Sequence, residues 1–63
     1  MTGADLRQRR QALGLTQVAL AELLHCSQHD LSRWESGAIR ITALRAEWLD
    51  RRLCEIEVAA PTA

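Results

Sequence analysis

Gln28, His29, Ser32 and Arg33 are near neighbours whose side chains can each hydrogen-bond to the edge of a nucleobase. Glutamine pairs bidentately with adenine and arginine with guanine, serine bonds either way, and histidine serves as donor or acceptor. On a helix advancing about 100° per residue from Gln28, Ser32 falls at about 40°, His29 at about 100° and Arg33 at about 140°. Trp34 and Leu31 fall at about 240° and 300°, so one side is apolar and the other is rich in donors and acceptors. A merely solvated face is the competing reading, although such a face more often carries Glu and Lys.

Two other constellations invite chemistry. His25, Cys26, His29 and Cys54 have the side-chain types of a closed zinc site, but their spacing matches no short zinc motif. Cys26 with His25 or His29 as base lacks an orienting third group and an oxyanion site, and the chain has no glycine-rich phosphate loop. No metal, no cofactor and no enzymatic activity are expected.

The elements that must position these residues are marked by caps and glycines. Thr2 with Asp5 forms a capping-box pattern and Gly14 a stop, which predicts a first helix over about Ala4 to Leu13. Thr16 caps a second from Gln17 to about Leu24, and Ser27 with Asp30 opens a third that runs to Glu35 before Gly37. Thr42 caps a last helix that continues without Gly or Pro to about Glu57. The fold class is all-α: a compact four-helix domain over 1–58, with a flexible tail over 59–63. Only His25, Cys26 and Ser27 separate the second and third helices, a connection that forces a sharp turn and makes 17–36 a helix-turn-helix candidate.

Composition narrows the function classes. Sixty-three residues make one domain at most, near the lower limit for folding without disulfides or metal. Apolar residues at 48% and charged residues at 25% are the balance of a globular protein. Eight arginines against eight acids give zero formal charge, which argues against holding nucleic acid by bulk charge. Two cysteines, no signal-type opening in MTGADLRQRR and no apolar run of membrane length predict a cytoplasmic protein with reduced thiols and no membrane partner.

From Leu6 to Gly37 the chain reads LRQRRQALGLTQVALAELLHCSQHDLSRWESG. LRxxR with LGLTQ, the LAELL second helix and S-x-x-x-L-S-R-W-E-x-G are the marks by which it resembles the Cro/repressor (XRE-type) helix-turn-helix family of compact phage or mobile-element regulators. The resemblance implies that Gln28, His29, Ser32 and Arg33 enter the major groove while Gln17, Ser36 and Arg40 contact phosphates. It further implies a largely buried structural ion pair between Arg10 and Glu35, leaving Arg7 and Arg9 to face solvent or phosphate. Ala21 is the small residue that lets the two motif helices approach, with Leu20, Leu24, Leu31 and Trp34 packing between them. His25 departs from the family, which usually has Gly at this left-handed turn position, so a slightly different turn shape is expected.

The last helix departs too, being one long segment where many members have two short ones. Its apolar arc is wide, which predicts that Ile39, Ile41, Leu44 and Trp48 close the domain. Leu49, Leu53 and Ile56, with Val58, are then left as a dimer interface on a dimerisation helix over about 43–57. The alternative is that the domain folds that stripe inward.

A homodimer would set two recognition helices about 34 Å apart on a palindromic double-stranded DNA operator. The expected function is a sequence-specific transcriptional regulator, most simply a repressor, in a bacterial or phage-infected bacterial cell. The alternative is a protein-interaction module of the same fold, an antitoxin or partner-binding adaptor with little DNA binding.

Overall fold

The computed structural model describes residues 1–59, which form four helices: α1 (Gly3–Ala12), α2 (Gln17–Leu24), α3 (Gln28–Ser36) and α4 (Ala43–Ala59). Each begins on a hydroxyl cap. Thr2, Thr16, Ser27 and Thr42 accept from the backbone N–H groups of Asp5, Ala19, Asp30 and Arg45, at 3.1 Å in every case. At α1 the Asp5 carboxylate returns a bond to the Thr2 N–H and completes the capping box.

The helix ends explain the turns. Gly14 and His25 are left-handed, at φ 70° and φ 57°, and both helices close in the same way. After α1, Gly14 N–H donates to Gln11 O and Leu15 N–H to Arg10 O; after α2, His25 N–H donates to Glu22 O and Cys26 N–H to Ala21 O. This doubly bonded ending normally takes glycine at its left-handed position. His25 holds it as a non-glycine residue, exposed to solvent, at φ 57° and ψ 41°.

The core is assembled from all four helices: Leu6 of α1, Leu20, Ala21 and Leu24 of α2, Leu31 and Trp34 of α3, and Leu49 and Leu53 of α4. The six leucines are completely inaccessible to solvent, and each such side chain contributes roughly 1.5 to 3 kcal/mol of hydrophobic stabilisation. Ala21 lies in this core, where a small side chain suits the close approach of α2 and α3.

The arrangement of α4 corrects the expected interface. Leu49 and Leu53 are fully buried in a single chain, and Ile56 is half-buried against the same core, whereas Leu44 is 77% exposed and closes nothing. Leu49, Leu53 and Ile56 share one line along α4; burial of Leu49 and Leu53 turns that line inward, and Arg9 of α1 pairs with Asp50 and Glu57 on the flank beside it. A dimer interface built on Leu49 and Leu53 is therefore excluded in this fold. The helix also runs to Ala59, the first residue assigned to the tail; the rest of that segment, 60–63, lies outside the described residues. No helix among the described residues is long and apolar enough to cross a membrane.

Candidate nucleic-acid interface

α3 is held by its apolar side, where Leu31 and Trp34 are buried, and it turns the opposite side outward. Gln28, His29 and Arg33 are exposed and Ser32 is partly so. Among the described residues, none of these four side chains makes a hydrogen bond or ion pair, so their donors and acceptors are unspent.

Behind this face stands the ion pair. Arg10 Nε and Nη2 donate to Glu35 Oε2 and Oε1 at 2.7 and 3.0 Å, and Arg10 Nη1 donates to the Leu15 carbonyl at 2.8 Å. The side chains are 12% and 3% exposed, and hydrogen bonding to Glu35 raises the Arg10 pKa above its ordinary value. The bidentate geometry locks the end of α3 onto α1, so the outward face has a fixed rotation.

The positions expected to touch phosphate fare differently. Arg40 is exposed, and its side chain is unpaired among the described residues. Gln17 instead turns its amide inward and donates to Glu35 Oε1 at 3.2 Å. Ser36 spends its hydroxyl at the end of α3, donating to Arg33 O and accepting from Ala38 N–H. Both are drawn into the local structure because α3 ends beside a carboxylate and a run of unsatisfied carbonyls. Arg9, expected at the surface, grips α4. Its Nε and Nη2 donate to Glu57 at 3.1 and 2.8 Å, and its Nη1 to Asp50 at 2.7 Å. The signal for this was present, since Arg9 and Arg10 flank the inward line from Leu6 to Leu13 at helical spacing.

Three further features went unread in the sequence. A Cβ on Gly3 would collide with the Trp34 carbonyl oxygen, so α1 begins in direct backbone contact with the end of α3. Arg52 donates to the Leu23 carbonyl at 2.7 Å and so caps the end of α2. Arg45 lies over both tryptophan rings. Gly3 and Arg52 leave no mark in local spacing, because each joins helices far apart in the chain; Arg45 and Trp48 stand at i, i+3 on α4, and only the contact with Trp34 is long-range.

Cys26 is half-buried against the core. Burial, and then the nearby Asp30 carboxylate, push its thiol pKa up, which disfavours the thiolate a nucleophile or metal ligand needs. Cys54 is exposed on α4, with its sulfur 3.6 Å from Arg9 Nη2. No cluster of three or more His, Cys, Asp or Glu that could hold a metal occurs among the described residues.

The sequence model of a helix-turn-helix domain family matches residues 3–56, from the first turn of α1 to near the end of α4. The chain belongs to this helix-turn-helix domain family. The Cro/repressor-type marks between Leu6 and Gly37 all fall inside the matched span. No curated protein and no solved structure matches the chain. Membership in the helix-turn-helix family supports a DNA-binding regulator.

Proposed function

We propose that the protein is a sequence-specific double-stranded DNA-binding regulator, a homodimeric repressor that reads a palindromic operator with α3 in the major groove. The observation that carries this reading is the outer face of α3, four side chains that can all bond to base edges and whose bonding capacity is unspent. Gln28, His29, Ser32 and Arg33 make the base contacts. Arg40 grips the backbone beyond α3, and Gln17 uses what its bond to Glu35 leaves free, one amide N–H and its oxygen, at the N-terminus of α2. Ser36 is a weaker phosphate partner, because its hydroxyl already serves Ala38 and Arg33.

The second copy needs a surface other than Leu49 and Leu53. A shallow apolar hollow lined by Leu13, Leu15, Leu23, Ile56 and Ala59 remains, and Leu23 is 43% exposed within it. Docking a twin chain there joins the ends of α1, α2 and α4. Two-fold pairing would set the two recognition helices on successive major grooves, about 34 Å apart.

Selecting bound sites from random duplex DNA tests the reading. The expected product is a palindrome whose half-sites are centred about one helical turn apart, or a multiple of it, bound with an affinity that falls steeply as salt rises. No enriched sequence, or a salt-independent interaction, would overturn it and leave a protein-binding module. Sedimentation of Leu23→Glu, an exposed position that tolerates the charge, is expected to give monomer where the parent gives dimer.

A further inference from the structure

Arg45 occupies the first turn of α4 and is held between two aromatic rings. Its guanidinium carbon lies 5.3 Å from the centroid of Trp34 on α3 and 5.0 Å from that of Trp48 on α4. Trp34 and Trp48 are the only tryptophans in the chain, and both are engaged by this one cation. The position is unfavourable for helix stability, since a positive charge in a first turn opposes the helix dipole, where Asp or Glu is preferred.

The donors of this guanidinium are also unspent. Arg9, Arg10 and Arg52 all deliver theirs to carboxylates or carbonyls. Arg45 makes no side-chain hydrogen bond or ion pair among the described residues; only its backbone N–H is used, by Thr42. The residue is exposed, so the rings hold the guanidinium nearby while its N–H groups remain open to water. Its neighbours place it beside the motif. Trp34 belongs to the inward side of α3, and Arg45 meets its ring from the first turn of α4, at the seam between the two helices.

We infer that Arg45 is a pre-ordered contact to the phosphate backbone of duplex DNA, gripping the strand on the α4 flank of the recognition helix. This rests on the DNA-binding reading above. A planar fork with free donors matches a phosphate bidentately, and a side chain already held in place loses less freedom on binding than a free surface arginine. Base reading is disfavoured, because Arg45 lies over Trp34, on the edge of α3 away from Gln28 and Ser32. The tryptophans thus do more than fill space: they aim a cation.

The test compares the parent, Arg45→Gln and Arg45→Lys on a labelled mixed-sequence duplex and on the selected operator, over a range of salt. One lost phosphate contact lowers the slope of log affinity against log salt by about 0.9. Arg45→Gln is expected to show that loss equally on both duplexes, and Arg45→Lys, which keeps the charge, to restore the parental slope. A folded Arg45→Gln with the parental slope overturns the inference and leaves Arg45 a structural rivet. A parent that binds neither duplex overturns this inference and the DNA-binding reading together. Where Arg45→Gln does not fold, phenylglyoxal footprinting of the parent decides: DNA must protect Arg45, and undiminished modification overturns the contact.

Discussion

Glu35 meets Arg10 with both carboxylate oxygens, at 2.7 and 3.0 Å, and only 3% of the glutamate side chain reaches solvent. Removing one partner of such a pair strands the other charge, at a cost of about 3 to 5 kcal/mol. A domain of this size has a total stability of roughly 3 to 9 kcal/mol. Arg10→Met or Glu35→Leu alone is therefore expected to leave much of the chain unfolded at room temperature. The double variant should recover part of the loss, because no charge is then left buried. Urea unfolding followed by circular dichroism measures all three, and single variants within 1 kcal/mol of the parent, allowing roughly for context, would contradict the role.

Gly3→Ala sets two effects against each other. Alanine improves helix propensity by about 1 kcal/mol over glycine inside a helix. Its Cβ, however, would collide with the Trp34 carbonyl and stand 2.7 Å from that of Glu35, both backbone atoms that cannot swing aside. Overpacking of this kind costs typically about 1 to 3 kcal/mol, so net destabilisation is expected. A raised thermal midpoint would mean that α1 can slide off α3 without loss.

How much of this was legible can be told from particular residues. The four caps Thr2, Thr16, Ser27 and Thr42 are local signals, and the helices begin where those side chains stand. The apolar side of α3 was legible for the same reason, since Leu31 and Trp34 repeat at helical spacing. The rotation of α4 was not. Its arc is apolar over a wide angle, and the choice between Leu44 and Leu53 as the buried residue is made by packing against the core leucines of α1, α2 and α3, which lie far away in the chain. Gln17 and Ser36 likewise have the right types for phosphate contact, but Glu35 and the end of α3 compete for their bonds. Type and spacing reveal capacity, whereas the tertiary partners decide how it is spent.

Leu53→Glu separates the expected interface from the observed core. At an exposed subunit contact the variant would be a folded monomer. With Leu53 inaccessible to solvent, the substitution buries an unpaired carboxylate and removes a core side chain. Loss of the helical circular dichroism signal is the expected outcome. A monomer with the parental spectrum would show that α4 can turn its Leu49 and Leu53 outward.

Acid should loosen the clasp between α1 and α4. The Glu57 carboxyl is held below its ordinary pKa, chiefly by its hydrogen bonds from Arg9. A group whose pKa is lowered by folding adds stability that is fully present above its unfolded value, about 4.3 for glutamate, and is lost as pH falls through the folded value. The side chain is 36% exposed, so screening by water keeps the contribution below about 1 kcal/mol. Glu57→Gln is expected to be slightly less stable than the parent at neutral pH and equal to it in strong acid. A gap that persists unchanged into acid would point to packing instead of charge.

Arg33 and Arg40 are both exposed and cationic, so bulk electrostatics cannot distinguish them. Position can. Arg33 stands on the outer face of α3 with its donors free, and a bidentate arginine to guanine pair is worth about 1 to 3 kcal/mol of discrimination. Arg33→Ala should lose that on the selected operator and relax selectivity at one base position. Arg40 lies beyond the left-handed Gly37 that ends α3, where its proposed contact is with a phosphate. Arg40→Ala should weaken operator and random DNA alike and lower the salt slope by about 0.9. Titrating each variant against operator and random duplexes at several salt concentrations reads both quantities at once. Equal losses on the two duplexes for Arg33→Ala would remove it from the base-reading set, and an operator-specific loss for Arg40→Ala would place a base contact outside α3.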